Sequence, residues 1–104
     1  MGQEYDKLVR DEIPAIIEAN GEKPVTHTAD EAEYERRLLD KLAEEVEEYR
    51  AERDVEELAD VLEVVYAICA HRNVSRSELE RLRAKKTADR GRFDERIVLE
   101  RVES

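Results

Sequence analysis

Only three glycines and two prolines interrupt the 104 residues, and this scarcity of chain-breaking residues constrains the fold more than any other feature. Glu, Leu, Ala and Arg, all good helix formers, dominate what remains. The sequence therefore predicts an all-α fold and excludes a β-sandwich or barrel, which need turn residues every few positions. Mean hydropathy is low, at −0.78, but the apolar residues recur periodically, so a small folded core is expected rather than disorder. A chain of this length is expected to form one domain, residues 1–104. Its core is small enough that self-association into a homo-oligomer is expected.

Several function classes fall away early. Cys69 is the single cysteine, so no internal disulfide forms, and no Cys/His spacing suggests zinc. The apolar run Val64–Ala70 is far too short for a membrane span. The start Met1-Gly2-Gln3-Glu4 carries no apolar signal stretch, and a cytoplasmic protein is expected. A net charge of −10 disfavours nucleic acid as a partner.

The charge is unevenly placed. Between Ala29 and Glu63 stand fifteen acids and five bases, an excess of ten that equals the net charge of the whole chain. The C-terminal third carries a basic block of Arg81, Arg83, Lys85, Lys86, Arg90, Arg92, Arg96 and Arg101. An acidic middle beside basic ends suits a metal held next to a polyanion; solvated helix faces laced with i,i+4 pairs are the plainer reading.

Caps and periods predict four helices. Pro14 opens a short one over residues 14–19, closed by Asn20-Gly21. Asp30 caps a long one running to about Arg53, with Leu38, Leu39, Leu42, Val46 and Tyr49 at helical spacing. Asp54 and Glu57 read as a capping-box variant for a third, to about Arg72. Ser75 and Glu78 repeat that signal for a fourth, to about Ala88 with Gly91 beyond. Residues 96–102, with Ile97, Val98, Leu99 and Val102, are β-branched enough to predict a short C-terminal strand pairing near Val25–Thr28.

Two acidic patterns, Glu44-Glu45-x-x-Glu48 and Glu57-x-x-Asp60, are cheap in so acidic a chain, and only geometry makes them specific. If the second and third helices fold back as an antiparallel hairpin turning at 51–54, residues whose numbers sum to a constant share a height. Glu45 then faces Asp60, and Glu48 faces Glu57, in two layers about 4.5 Å apart on helices about 8–10 Å apart. Glu57 falls inside the apolar arc of its helix, Asp60 lies just beyond its edge, and Glu45 borders the apolar stripe of the helix before. Glu44 points nearly the opposite way.

Four neighbouring carboxylates repel and raise one another's pKa unless a cation sits among them. Hard, flexible oxygen ligands suit Mg²⁺, with Mn²⁺ as a substitute. Pairing of the same acids with Lys41, Arg50 or Arg53 as surface salt bridges is the alternative. A carboxylate-held Mg²⁺ ordinarily serves a phosphate-bearing substrate. No P-loop motif and no Ser/His or Cys/His nucleophile pair is present. His71 lies too far along its helix to join the acids, Cys69 reads as core, and Tyr49 and Tyr66 read as packing residues.

Taken together these motifs resemble the MazG-like, all-α nucleoside triphosphate pyrophosphohydrolase superfamily. The opening Lys7-Leu8-Val9-Arg10-Asp11-Glu12-Ile13-Pro14 is similar to the KLVRDxIP start of its small phosphoribosyl-ATP pyrophosphohydrolase-like branch, as are Glu57-Leu58-Ala59-Asp60-Val61-x-Glu63-Val64 and Arg90-Gly91-x-Phe93-x-x-Arg96-Ile97-x-Leu99. The resemblance runs from Tyr5 to Leu99 and implies a four-helix MazG-like bundle that hydrolyses a nucleoside triphosphate between its α and β phosphates with Mg²⁺. Carried over by position, Glu45, Glu48, Glu57 and Asp60 become metal ligands, Glu44 and Glu45 catalytic acids or bases, and Lys7, Arg10, Lys86 and Arg90 phosphate contacts. The gap between the acidic motifs is short beside longer relatives and leaves no base-selecting insertion. Phosphoribosyl-ATP hydrolysis and a non-catalytic helical interaction module are the alternative expectations.

Overall fold

The computed structural model describes residues 3–104 and places four helices in order: α1 (Ile13–Ala19), α2 (Glu31–Glu52), α3 (Val55–His71) and α4 (Arg76–Arg90). The chain is all-α, as the scarcity of breakers predicts. Pro14 lies in the first turn of α1, whose far end closes with Gly21 at φ +83°, its N–H donating to Glu18 O and that of Glu22 to Ile17 O. Only a residue tolerant of positive φ fits that position cheaply. Asp30 accepts from the Glu33 backbone N–H at 2.8 Å and Ser75 Oγ from that of Glu78 at 3.1 Å, so both predicted caps form.

Asp54 occupies the N-cap of α3 with extended backbone, yet its side chain makes no cap hydrogen bond. The predicted capping box is therefore incomplete. Glu57, which would reach back to Asp54, turns its carboxyl toward the other acids instead.

α2 and α3 form the predicted antiparallel hairpin through a two-residue link, Arg53-Asp54, with Arg53 left-handed at φ +59°. Arg53 Nε caps the Arg50 carbonyl at 2.9 Å and helps end the helix. The hairpin holds what core there is: Leu38 and Val64 are its only buried apolar residues among those described, with Leu42, Val61, Val65 and Ile68 half-buried around them. Cys69, expected in the core, is also only half-buried. α4 touches α3 sparsely at their elbow, and α1 packs on no other helix.

The chain is accordingly extended. Its radius of gyration is 18.3 Å, against about 13 Å for a compact domain of this length. It exposes 9738 Å², where a compact monomer of 12.1 kDa exposes about 6,000 Å². No strand forms among the described residues: the segment 96–102 stands free, with Ile97, Val98, Leu99 and Val102 at least three-quarters exposed. β-propensity is realised only where a neighbouring strand receives the side chains and backbone groups, and residues 25–28 supply none.

Candidate metal centre

The hairpin register brings the predicted acids together. Carboxylate oxygens of Glu45, Glu57 and Asp60 lie within 4.8 Å of one another, drawn from both helices, and so do those of Glu44, Glu45 and Glu48. Glu45 is the most buried, at 7% exposure; Glu44, Glu57 and Asp60 are half-buried and Glu48 is exposed. Glu44 departs from the expectation of a side chain pointing away. Its carboxylate is drawn inward by two ammonium groups, Lys7 Nζ at 2.6 Å and Lys41 Nζ at 3.3 Å.

Among the described residues, Lys41 is the one of the three predicted salt-bridge partners that pairs with these acids, reaching Glu45 Oε1 at 3.2 Å as well. Arg50 pairs with Glu47, and Arg53 with a backbone carbonyl. The remaining cations come from the segment before α1, which sequence spacing could not place. Lys7 reaches Glu44, and Arg10 Nη2 donates to Asp60 Oδ1 at 2.7 Å. Arg37 anchors the same segment, donating to the carbonyl and carboxylate of Asp6 at 2.7 and 2.9 Å. Sequence reasoning missed Arg37; the signal was an Arg one turn before Lys41 on the acidic side of α2.

These cations leave the cluster partly uncompensated. Five carboxylates (Glu44, Glu45, Glu48, Glu57, Asp60) meet three cations (Lys7, Arg10, Lys41), a deficit of two positive charges. Among the described residues Glu45 Oε2 and Glu57 Oε2 are buried without any hydrogen-bond donor. A buried carboxylate oxygen with no donor is costly. Burial, followed by the charges of Glu48 and Asp60, pushes the Glu57 pKa above its ordinary value. At Glu44 burial also pushes upward, but the Lys7 hydrogen bond and the Lys41 charge outweigh it and hold the pKa low. The Lys7 ammonium is raised chiefly by its hydrogen bond to Glu44. Flexible oxygen donors short of two positive charges fit a divalent hard cation.

Other candidates lie elsewhere. Within one chain α4 touches only α3, sparsely, and no ion pair links Lys86 or Arg90 to these acids. His71 packs edge-on against Tyr34, ring centroids 5.2 Å apart, away from the cluster. The Arg76 guanidinium lies over the Tyr66 ring at 4.2 Å, beside a hollow of about 320 Å³ at the α3–α4 elbow, so that ring face is already taken.

No family model matches the chain, and no solved structure does. The chain is 51% identical over 45 residues to an uncharacterized protein of Mycolicibacterium smegmatis, a match covering 43% of this chain and 46% of that protein. It thus spans about half the length of the curated relative it matches. No described helix is long and apolar enough to cross a membrane.

Proposed function

We propose that this chain is a MazG-like, cytoplasmic nucleotide pyrophosphohydrolase that takes Mg²⁺ on its acidic face and hydrolyses a nucleoside triphosphate to monophosphate and pyrophosphate. The observation that carries this reading is Glu45: almost wholly buried, with one oxygen unpaired, and within 4.8 Å of carboxylate oxygens from Glu57 and Asp60 across the hairpin. A solvating surface has no reason to bury a carboxylate oxygen without a donor. Glu45, Glu48, Glu57 and Asp60 would hold the ion. When bound, Mg²⁺ neutralises phosphate oxygens and lowers the pKa of water. Glu44 is kept ionised by Lys7 and Lys41, which weakens it as a base, so in this reading its charge positions those two ammonium groups beside Glu45. Lys7 and Arg10 stand close enough to meet phosphate oxygens at the same face.

The reading includes a homo-oligomer. The chain exposes roughly 3,700 Å² more than a compact monomer of its mass, enough to supply one partner's side of a large obligate interface. At about 100° per residue, exposed Leu39 and Val46 of α2 and Leu58 and Leu62 of α3 lie on the side of the hairpin opposite the acids. That side is where a second copy would dock. Lys86 and Arg90 would reach a triphosphate only from a neighbouring copy.

A screen of NTPs, dNTPs and phosphoribosyl-ATP with Mg²⁺, reading pyrophosphate and orthophosphate separately, tests the proposal. Release of pyrophosphate with a monophosphate is expected. Orthophosphate with a diphosphate, or no turnover of any nucleotide, overturns it.

A further inference from the structure

The segment carrying Lys7 and Arg10 is held across the acidic face by charge rather than by packing. Its contacts are Asp6 with Arg37 on α2, Lys7 with Glu44 on α2, and Arg10 with Asp60 on α3, so it straps the two helices together. Little apolar surface secures it. Lys7 and Arg10 are 38% and 56% exposed, Leu8 is only half-buried, and α1 beyond packs on no helix. Ion pairs so exposed are weak and salt-sensitive. Lys41, by contrast, belongs to α2 itself, is 15% exposed, and cannot leave the face.

Arg10 therefore occupies a carboxylate oxygen that a divalent cation would need, Asp60 Oδ1, while Lys7 places its positive charge on Glu44 Oε1 beside the same site, and both do so reversibly. The geometry points to an exchange of cations. A divalent ion entering among Glu45, Glu48, Glu57 and Asp60 displaces the strap, and the freed Lys7 and Arg10 then close over the phosphates of the ligand. The charge count is neutral to it: an incoming ion supplies the two positive charges that the strap withdraws, so the face keeps its deficit of two and the strap's own two become free for a polyanion. The inference rests on the metal-site reading above and adds an order to it: metal opens the strap and polyphosphate closes it.

Isotope-labelled protein tests the exchange without turnover. The heteronuclear NOEs of residues 5–11 report the strap, and calorimetry with MgCl₂ at fixed ionic strength reports affinity. Mg²⁺ is expected to lower those NOEs, and inorganic pyrophosphate added afterwards to restore them in the parent but not in Lys7→Met/Arg10→Met. By reciprocity the double variant, lacking the competing cations, should bind Mg²⁺ roughly tenfold tighter, a typical coupling. Mg²⁺ binding that leaves the strap ordered overturns the exchange while the metal reading stands, even if the variant binds tighter through its lost charges alone. A strap that stays mobile with pyrophosphate overturns the closing step. Failure of both proteins to bind Mg²⁺ overturns the metal reading, and the exchange with it.

Discussion

Lys41 Nζ forms an ion pair with only one oxygen of Glu45, Oε1 at 3.2 Å, while the other, Oε2, is buried without a donor. This half-satisfied pair, with side chains 15% and 9% exposed, is where removal of a cation should be felt most. Lys41→Met should destabilise the chain by about 1–3 kcal/mol, the scale for leaving a largely buried charge without its partner. Mg²⁺ should recover part of that loss by restoring positive charge beside Glu45. Urea melts in chelator and in Mg²⁺ measure both, and an unchanged midpoint in the variant would show that Lys41 is a bystander.

Assembly is tested on the opposite side of the hairpin. Leu62 is 47% exposed in the single chain, and in a monomer Leu62→Glu should alter stability by less than about 0.5 kcal/mol, as at most surface positions. Against a second copy it buries a charge. Sedimentation velocity should show the parent at a multiple of 12.1 kDa and the variant shifted to the single-chain mass with a lower melting point. A parent that sediments as a monomer contradicts the proposed interface.

Acid should loosen the start of α2. The Glu33 carboxylate accepts from the His27 ring at 2.9 Å and from Arg37 at 3.2 Å, and these bonds, the histidine's first, hold its pKa below the ordinary 4.5. A depressed folded value means this contribution is present above the unfolded pKa and is lost as pH falls through the folded one. Glu33→Gln should therefore flatten the fall in stability below about pH 4.5 and change little at pH 7 beyond the missing pairs. Parallel acid limbs in parent and variant would remove Glu33 from the account.

How much of this was legible depended on whether the signal was local. The Asp30 and Ser75 caps, the Gly21 stop and the hairpin turn are encoded within a few residues, and the structure has them. The pairing of Glu45 with Asp60 followed from helical rise alone once the turn was placed, and their oxygens do meet. The strap was not legible as such. Arg10 and Asp60 are fifty residues apart, and no periodicity links a loop to a helix face. Glu44 was misdirected for the same reason, since its orientation is set by Lys7 from that loop. The strand expected at 96–102 failed because propensity without a partner makes no ladder. Asp54 lost its reciprocal cap because Glu57 is engaged with the acids.

Glu57→Gln gives the most direct test of the acidic face as a metal centre. The substitution keeps the shape and removes the charge that burial and the neighbouring Glu48 and Asp60 disfavour at position 57. Thermal melts of parent and variant are run in chelator and in excess Mg²⁺. In chelator the variant should melt above the parent, because relieved repulsion and lighter desolvation favour its folded state. Mg²⁺ should raise the parent's midpoint and move the variant's little, so that the order narrows or reverses. A variant that melts at or below the parent in chelator, with Mg²⁺ moving neither midpoint, would contradict the metal centre.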